Sequence, residues 1–148
     1  MTDLELWRKY LALLDSLGGT LEELTGLEQE KARAVSQGDL PAVEEIMKRE
    51  QVISLSLRGL DQKRDKMLAE MGLSGVPLRE LAGRAPEGVF QQAKEAAERL
   101  RQRYDVFQSA SQVARDTLEI NLHAIEKMQK AQDQPPEEGH PHQADFRV

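Results

Sequence analysis

The sequence predicts an all-α fold: an elongated antiparallel helical hairpin followed by a long third helix, forming a three-helix, coiled-coil-like bundle. Three long stretches carry apolar residues at intervals of three and four, the spacing of one face of a helix. A Gly-Asp turn at positions 38 and 39 separates the first two stretches. Charged residues make up 31% of the chain and aromatic residues only 4%, which favours long helices with narrow apolar faces over a thick core.

The first helix is predicted over residues 4–36. Two neighbouring apolar rows run along it, as expected for a bundle helix that contacts two other helices. Gly18 and Gly19 interrupt the rows, and each glycine costs about 1 kcal/mol relative to alanine inside a helix. A close helix approach, a kink, a weakened helix and a break are all compatible with this pair. The two rows are Leu4, Trp7, Leu11, Leu14 and Leu21, and Leu6, Tyr10, Leu13, Leu17, Leu24 and Leu27.

A tight turn leads to the second helix, predicted over residues 40–71. Gly38 suits a left-handed C-terminal cap, and the Asp39 side chain can accept hydrogen bonds from the free amides that open the next helix. Pro41 is tolerated in the first helical turn, because an amide there has no intrahelical partner to lose. A connection this short forces the two helices to lie antiparallel. Gly38 and Asp39 are therefore predicted to be structural residues.

The second helix carries a heptad-spaced row that is mostly apolar but includes Glu50 and Arg64. A buried charge costs several kcal/mol unless it is paired. We expect Glu50 to reach water at the edge of the row. Arg64 is also predicted to be structural, and its interpretation stays open. Its long stem carries the charge to water, or it sets the register between helices or marks a place where a partner completes the site. The row consists of Val43, Ile46, Glu50, Ile53, Leu57, Leu60, Arg64, Met67 and Met71.

A connector over residues 73–87, rich in Gly and Pro, leads to the third helix, predicted over residues 88–130. Its heptad row covers nearly forty residues, which is about 60 Å of helix. The alanines and the serine in this row leave shallow holes, which either allow close packing or accept a guest helix. The row is Phe90, Ala93, Ala97, Leu100, Tyr104, Phe107, Ser111, Ala114, Leu118, Asn121, Ile125 and Met128.

One helical domain is predicted over residues 1–130. The segment 131–148 is rich in Gln, Pro, Glu and His and is predicted to be a disordered tail.

Composition and charge argue against several classes of protein. The net charge of -6 and the isoelectric point near 5.2 speak against nucleic acid and anionic membrane surfaces as main partners. The absence of cysteine excludes thiolate metal sites and fits a reducing compartment. The acidic N-terminus lacks the order of a signal peptide, and no apolar run is long enough for a bilayer. We expect a cytoplasmic protein without membrane insertion.

The sequence offers no set of residues typical of catalysis, cofactor binding or metal binding. The only histidines are His123, His140 and His142, so the serines have no histidine and acid partners in a plausible constellation. His140 and His142 lack further ligands at fixed geometry. A Glu precedes His123 by four residues and only once, whereas di-iron bundles repeat a Glu-x-x-His spacing. We therefore expect no enzyme activity, no cofactor and no bound metal.

Three groups of residues are together similar to one known family. The first is the Leu-rich first helix, which ends in Glu30-Lys31-Ala32-Arg33-Ala34-Val35-Ser36-Gln37-Gly38-Asp39. The second group is Leu40, Val43 and Ile46, then Lys48-Arg49-Glu50, Leu57, Leu60 and Arg64. The third is Leu78-Arg79-Glu80-Leu81-Ala82, followed by a long helix with Leu118, Leu122 and Ile125. Over about residues 4 to 128 the chain thus resembles the FlgN-type flagellar export chaperones.

The resemblance implies a non-enzymatic chaperone that binds the C-terminal amphipathic helices of hook-associated proteins, the subunits at the hook–filament junction. Such a chaperone keeps these subunits unassembled and delivers them to the flagellar type III export machinery. The family places much of the client contact on its C-terminal helical portion. The client-binding residues expected here are Phe107, Ser111, Ala114, Leu118, Leu122, Ile125 and Met128.

The residues themselves leave an alternative of a different class. A long apolar row on the third helix is also typical of a coiled-coil adaptor or structural protein that homodimerises and has no export client.

Overall fold

The computed structural model describes residues 2–133, and every regular element in this range is helical, which confirms the predicted all-α fold class. The four α-helices are α1 (Asp3–Gln37), α2 (Leu40–Glu70), α3 (Leu78–Leu81) and α4 (Phe90–Asp133). Two 3₁₀ turns, Ala82–Arg84 and Glu87–Val89, follow the short helix α3 and complete the connector between α2 and α4.

Local hydrogen bonds account for the helix boundaries. The Thr2 hydroxyl accepts from the Glu5 amide at 3.2 Å, and the Glu5 carboxylate accepts from the Thr2 amide at 3.3 Å, so a capping box begins α1. Gly38 ends α1 with a φ of 71°, a left-handed conformation in which glycine carries no Cβ penalty. The Asp39 carboxylate then accepts from the Ala42 amide at 3.2 Å and begins α2.

The helix α1 lies between α2 and α4 and contributes to two apolar clusters. The larger cluster surrounds Trp7 and Tyr10, whose rings meet edge to face with centroids 6.1 Å apart. It also contains Leu14, Leu17, Leu21, Leu68, Leu81, Val89, Ala93, Ala96 and Leu100. The smaller cluster lies near the hairpin turn and contains Leu27, Ala34, Val35, Val43 and Ile46. The hairpin is therefore packed along both of its halves.

The predicted heptad row of the third helix is wrong at its start. Phe90 is exposed and Ala97 only half-buried, whereas Ala96 is buried beside Ala93 and Leu100. A straight helix has 3.6 residues per turn, so its buried face drifts away from a strict heptad.

The third helix extends three residues beyond its predicted end at residue 130. The segment 131–133 is helical, because no Pro or Gly interrupts the chain there. Residues 134–148, with His140 and His142, lie outside the described part of the chain.

The helix α1 continues without interruption through Gly18 and Gly19. The Arg103 side chain of α4 crosses directly over Gly18, so a Cβ placed there would lie 2.6 Å from the arginine Nη1. Arg103 also forms an ion pair with Glu22 at 3.1 Å. A Cβ at Gly19, by contrast, would meet open space. The helix is therefore not broken at this pair, and Gly18 makes room for the Arg103 side chain of α4.

Candidate functional site

The helices α1 and α4 run parallel, and polar contacts fix their register. Asp15 pairs with Arg99 at 3.1 Å across a sequence separation of 84 residues, and Glu22 pairs with Arg103 further along both helices. If the sequence separation of 84 residues is kept along the two helices, Gln37 at the end of α1 lies level with Asn121. The final twelve residues of α4 therefore extend beyond α1 by about 18 Å, at about 1.5 Å per residue.

The expected client-binding residues fall into two groups. The inner group is packed within the bundle: Phe107 lies against the larger apolar cluster, and Ala114 is only 2% exposed. Ser111, half-buried, faces the carboxylate of Glu28 on α1. A client cannot contact Ala114 without displacing a neighbouring helix, so the inner group positions α4 against α1.

The outer group forms an apolar row toward the free end of α4. Leu118 is 38% exposed, Ile125 49% and Met128 65%, and Leu122 between them is half-buried. Intervals of three and four place these four side chains on one face of the helix. We call this row the distal row. It is an unpaired apolar surface on a helical extension, the kind of surface that marks interaction sites.

A second exposed row on α4 did not emerge from the sequence reasoning. Val106, Val113 and Ile120 are all more than half exposed and follow a strict heptad spacing. They lie on a different face from the distal row: Ile120 is two residues from both Leu118 and Leu122, which places it about 160° around the helix from each. Their heptad spacing is visible in the sequence and predicts a second apolar row, but the longer heptad row of the same helix overlaps it and was the one recognised.

An open cleft separates α2 from α4. No Cα atom of α2 lies within 8 Å of a Cα atom of α4, although both helices contact α1. The cleft has a volume of about 800 Å³. Leu17 and Leu21 of α1 lie in it, with side chains of α2 such as Leu57 on one side and Tyr104 of α4 on the other. The sequence gives no direct signal of this cleft, because the spacing between α2 and α4 depends on the whole bundle.

Glu50 does not reach water as expected. Its side chain is only 15% exposed, and its carboxylate accepts from the Lys31 ammonium at 2.9 Å. Lys31 also pairs with Glu28 at 2.8 Å, so a single cation lies between two carboxyl groups on α1 and α2. The pair from Lys31 to Glu50 bridges the two arms of the hairpin and so helps to set their register.

The two carboxyl groups of this cluster titrate in opposite directions. Burial, together with the adjacent Glu28 carboxylate, raises the pKa of Glu50 to about 7, and Lys31 only partly offsets this rise. The pKa of Glu28 is lowered: burial opposes this change, but hydrogen bonding with Glu50, Lys31 and Ser111 outweighs it. Near pH 7 the cluster therefore exchanges a proton chiefly at Glu50.

Arg64 on α2 is partly buried, with its side chain 25% exposed. It pairs with Asp61 at 3.2 Å and faces the Tyr10 phenol on α1. The Tyr10 hydroxyl is buried and lacks a partner of good hydrogen-bond geometry within the described residues. Burial raises the pKa of Tyr10, and the positive charge of Arg64 opposes the rise. The guanidinium thus gives this buried hydroxyl a favourable electrostatic environment.

Two further features bear on the class of protein. Within residues 2–133, no helix combines the length and the apolar character needed to cross a membrane. The same part of the chain contains no group of three or more His, Asp or Glu side chains placed to hold a metal ion.

The fold and the distal row define an all-helical bundle with an unpaired helical extension. A family model described as "FlgN protein" matches residues 7–135, most of the 148-residue chain, and the protein belongs to the FlgN family. The resemblance recognised in the sequence is thereby confirmed. Membership in this chaperone family suggests a role in flagellar export, and the family is not known for enzymatic activity. No curated protein and no solved structure matches the chain.

Proposed function

We propose that the protein is a cytoplasmic flagellar type III export chaperone that binds the C-terminal amphipathic helices of hook-associated proteins. Family membership supports the chaperone role. The observation that carries the proposal is the distal row, whose members Ile125 and Met128 are about half exposed or more on a helix that extends beyond α1. A client helix would lay its own apolar face against this row and remain unassembled until export.

The expected affinity follows from the apolar area that a client would cover. Burial of about 400 Å² of apolar surface at about 25 cal/mol per Å² is worth about 10 kcal/mol before the costs of association. Lost rigid-body freedom and ordering of side chains remove several kcal/mol of this gain. About 6 kcal/mol or less remains once at least about 4 kcal/mol is lost. This corresponds to a dissociation constant of tens of micromolar or weaker, which suits a complex that must dissociate at the export machinery.

The direct test is the substitution of Leu122 and Ile125 by aspartate. Two carboxylates in an apolar interface should weaken binding of a hook-associated C-terminal peptide more than about 100-fold, because interface anchors contribute 2 kcal/mol or more each. Binding is measured by fluorescence anisotropy and folding by far-ultraviolet circular dichroism. The matched control is Val52→Asp, an exposed apolar position on α2, which should leave binding unchanged.

Because Leu122 is half-buried, aspartate at this position also affects folding, and unfolding would itself abolish binding. A second variant therefore avoids Leu122. Ile125→Asp with Met128→Asp changes only exposed side chains and should give the same loss of binding. Full affinity in this folded variant would refute the distal row as the client site.

The exposed heptad row of Val106, Val113 and Ile120 favours a second candidate, a homodimeric coiled-coil adaptor without an export client. Sedimentation equilibrium separates the two candidates. The chaperone proposal expects a free monomer, or a dimer whose distal row stays available to the client peptide. A tight dimer that excludes the peptide and separates on Val113→Asp would support the adaptor instead.

A further inference from the structure

The exposed heptad row of α4 belongs to a longer uncharged row on the same face of the helix. Its large members, Val106, Val113 and Ile120, are all more than half exposed. Smaller residues fill the intervals, so that the members follow each other at steps of four and three. We call this set the second row: Val106, Ala110, Val113, Thr117, Ile120 and Ala124. An exposed apolar surface of this length marks an interaction site.

The groove between α1 and α4 borders the second row and has room for further side chains. It contains two cavities of about 370 Å³ and 300 Å³, and Val106 lines both. On the side of α1 the lining includes the small residues Gly26 and Ala32. The charged residues that line the cavities, Glu22 and Arg103, already pair with each other at 3.1 Å. Another helix can therefore approach the row here without burying an unpaired charge.

The apolar members of the second row are complementary to a second copy in an antiparallel arrangement. In a dimer with a two-fold axis at Val113, a residue before this position faces the residue equally far after it in the other copy. Val113 then meets Val113 at the axis, and Val106 meets Ile120, since each lies seven residues away. Apolar side chains therefore face apolar side chains at all three levels.

The charged residues along one edge of the row match in the same arrangement. Glu98 lies fifteen residues before Val113 and Lys127 fourteen after it, so the carboxylate of one copy faces the ammonium of the other. Asp105 and His123, eight before and ten after, are matched in the same way. Within residues 2–133, none of these four side chains forms an ion pair inside the chain. Opposite charges that flank an apolar row set the orientation of two helices.

The opposite edge of the row carries two arginines whose charges are already balanced. Arg99 pairs with Asp15 at 3.1 Å, and Arg103 pairs with Glu22 at 3.1 Å, both across the groove to α1. This edge therefore brings no unpaired cation to a second copy.

A parallel dimer lacks these matches. Each residue would then lie beside its own copy, so Glu98 would meet Glu98 and Lys127 would meet Lys127. Like charges that face each other weaken association. In the antiparallel arrangement the remaining carboxylate at the edge, that of Asp116, lies beside Ser109 of the second copy, whose hydroxyl can donate to it. The charges thus favour the antiparallel orientation.

We propose that the second row docks a second copy of this chain in a two-fold antiparallel dimer centred on Val113. The two α4 helices overlap over residues 98–127, about 45 Å at about 1.5 Å per residue. Ile120 lies about 160° around the helix from Leu118 and Leu122, so the distal rows of both copies face away from the interface. The dimer does not rest on client binding, and it differs from an adaptor without a client because both distal rows stay free.

Sedimentation equilibrium of the full chain provides the first test. A reversible dimer should form with rising concentration, and a monomer at about 1 mM overturns the proposal. Val113→Asp should weaken the dimer about tenfold or more, because two carboxylates then meet at the axis. This position is exposed, so the variant should stay folded. Unchanged association of the folded variant overturns the proposal.

A charge exchange tests the register. Glu98→Lys and Lys127→Glu should each weaken the dimer about tenfold, because each creates two repulsive pairs; the combined variant should recover to within threefold of the wild type. The matched control is Arg101→Glu with Glu119→Lys, the same exchange at exposed positions of α4 about 120° from Val113. It should leave association within threefold. A combined variant that does not recover, or an equal loss in the control, overturns the proposal.

The absence of cysteine allows the orientation to be tested by cross-linking. On oxidation, Val113→Cys should cross-link to its own copy, because a disulfide needs Cα atoms within about 7 Å. Val106→Cys should not, because its two copies lie about 21 Å apart, but a mixture with Ile120→Cys should cross-link. A self-cross-link at position 106 stronger than at position 113 would indicate a parallel dimer and overturn the proposal.

Two outcomes separate this interface from the distal row. Ile125→Asp with Met128→Asp should dimerise within threefold of the wild type; loss of the dimer would place the interface on the distal row and overturn the proposal. A saturating hook-associated C-terminal peptide should leave the dimer intact. A peptide that separates the dimer would itself occupy the second row, which also overturns the proposal.

Discussion

The neighbouring glycines of α1 should respond in opposite ways to alanine. At Gly19 the new Cβ enters open space, so Gly19→Ala should gain the full helix propensity difference of about 1 kcal/mol. At Gly18 the new Cβ would lie 2.6 Å from Nη1 of Arg103, so the guanidinium must move. Its displacement loses the ion pair with Glu22, worth about 0.2–1 kcal/mol, together with the packing of the arginine stem over the glycine.

The two variants should therefore differ by about 1 kcal/mol in the free energy of unfolding, with Gly19→Ala more stable and Gly18→Ala close to the wild type. For a chain of this size, 1 kcal/mol corresponds to about 4 °C in Tm. Thermal and urea unfolding, followed by circular dichroism, measure both values. Adding Arg103→Ala supplies the control: without the guanidinium, Gly18→Ala should recover a stabilisation of about 1 kcal/mol.

An equal stabilisation by both alanines in the wild-type background would refute the reasoning. It would mean that Arg103 leaves Gly18 without loss, and that the contact between α1 and α4 at this level contributes nothing to stability. A destabilised Gly19→Ala variant would refute it differently, because it would show that the open space beside that residue is filled.

Two other substitutions test the hairpin. Glu50 has a pKa of about 7 in the folded protein and an ordinary value of 4.5, so its contribution to stability is fully present below pH 4.5 and is lost as the pH rises through 7. The Glu50→Gln variant has a neutral side chain at every pH. Its free energy of unfolding relative to the wild type, measured with urea, should therefore increase from pH 5.5 to pH 8. If this difference in unfolding free energy does not change with pH, Glu50 does not titrate in this range. Gly38→Ala should lower the free energy of unfolding by about 1 kcal/mol, because the φ of 71° penalises a Cβ. A neutral effect in the same assay would show that the turn rearranges.

The hairpin could be predicted from the sequence because its signals are local. Gly38, Asp39 and Pro41 each have a defined conformational role near a helix end, and these roles do not depend on distant contacts. The apolar rows give the helical period directly. The family resemblance came from the same local patterns.

The sequence could not give the details that depend on how helices meet. Whether Glu50 reaches water depends on the position of Lys31 across the hairpin, and one residue of register changes the answer. The choice between Ala96 and Ala97 depends on the drift of a straight helix relative to a strict heptad. The division of the third-helix row between Ala114 and Leu118 depends on how far α1 continues beside α4. The cleft, finally, depends on the distance between two helices whose Cα atoms stay more than 8 Å apart.

The extension of α4 beyond α1 has a consequence for folding that links it to recognition. A free helix of about twelve residues is marginal in water, because nucleation is unfavourable and only propagation adds hydrogen bonds. This extension continues an already packed helix, so it needs no nucleus, but its outer turns can unwind from the end. A ligand on Met128 would therefore stabilise helical turns as well as cover apolar surface. Amide hydrogen exchange in residues 122–133 should then slow on binding, and the affinity at this end of the molecule should rise with the helix propensity of the exposed positions.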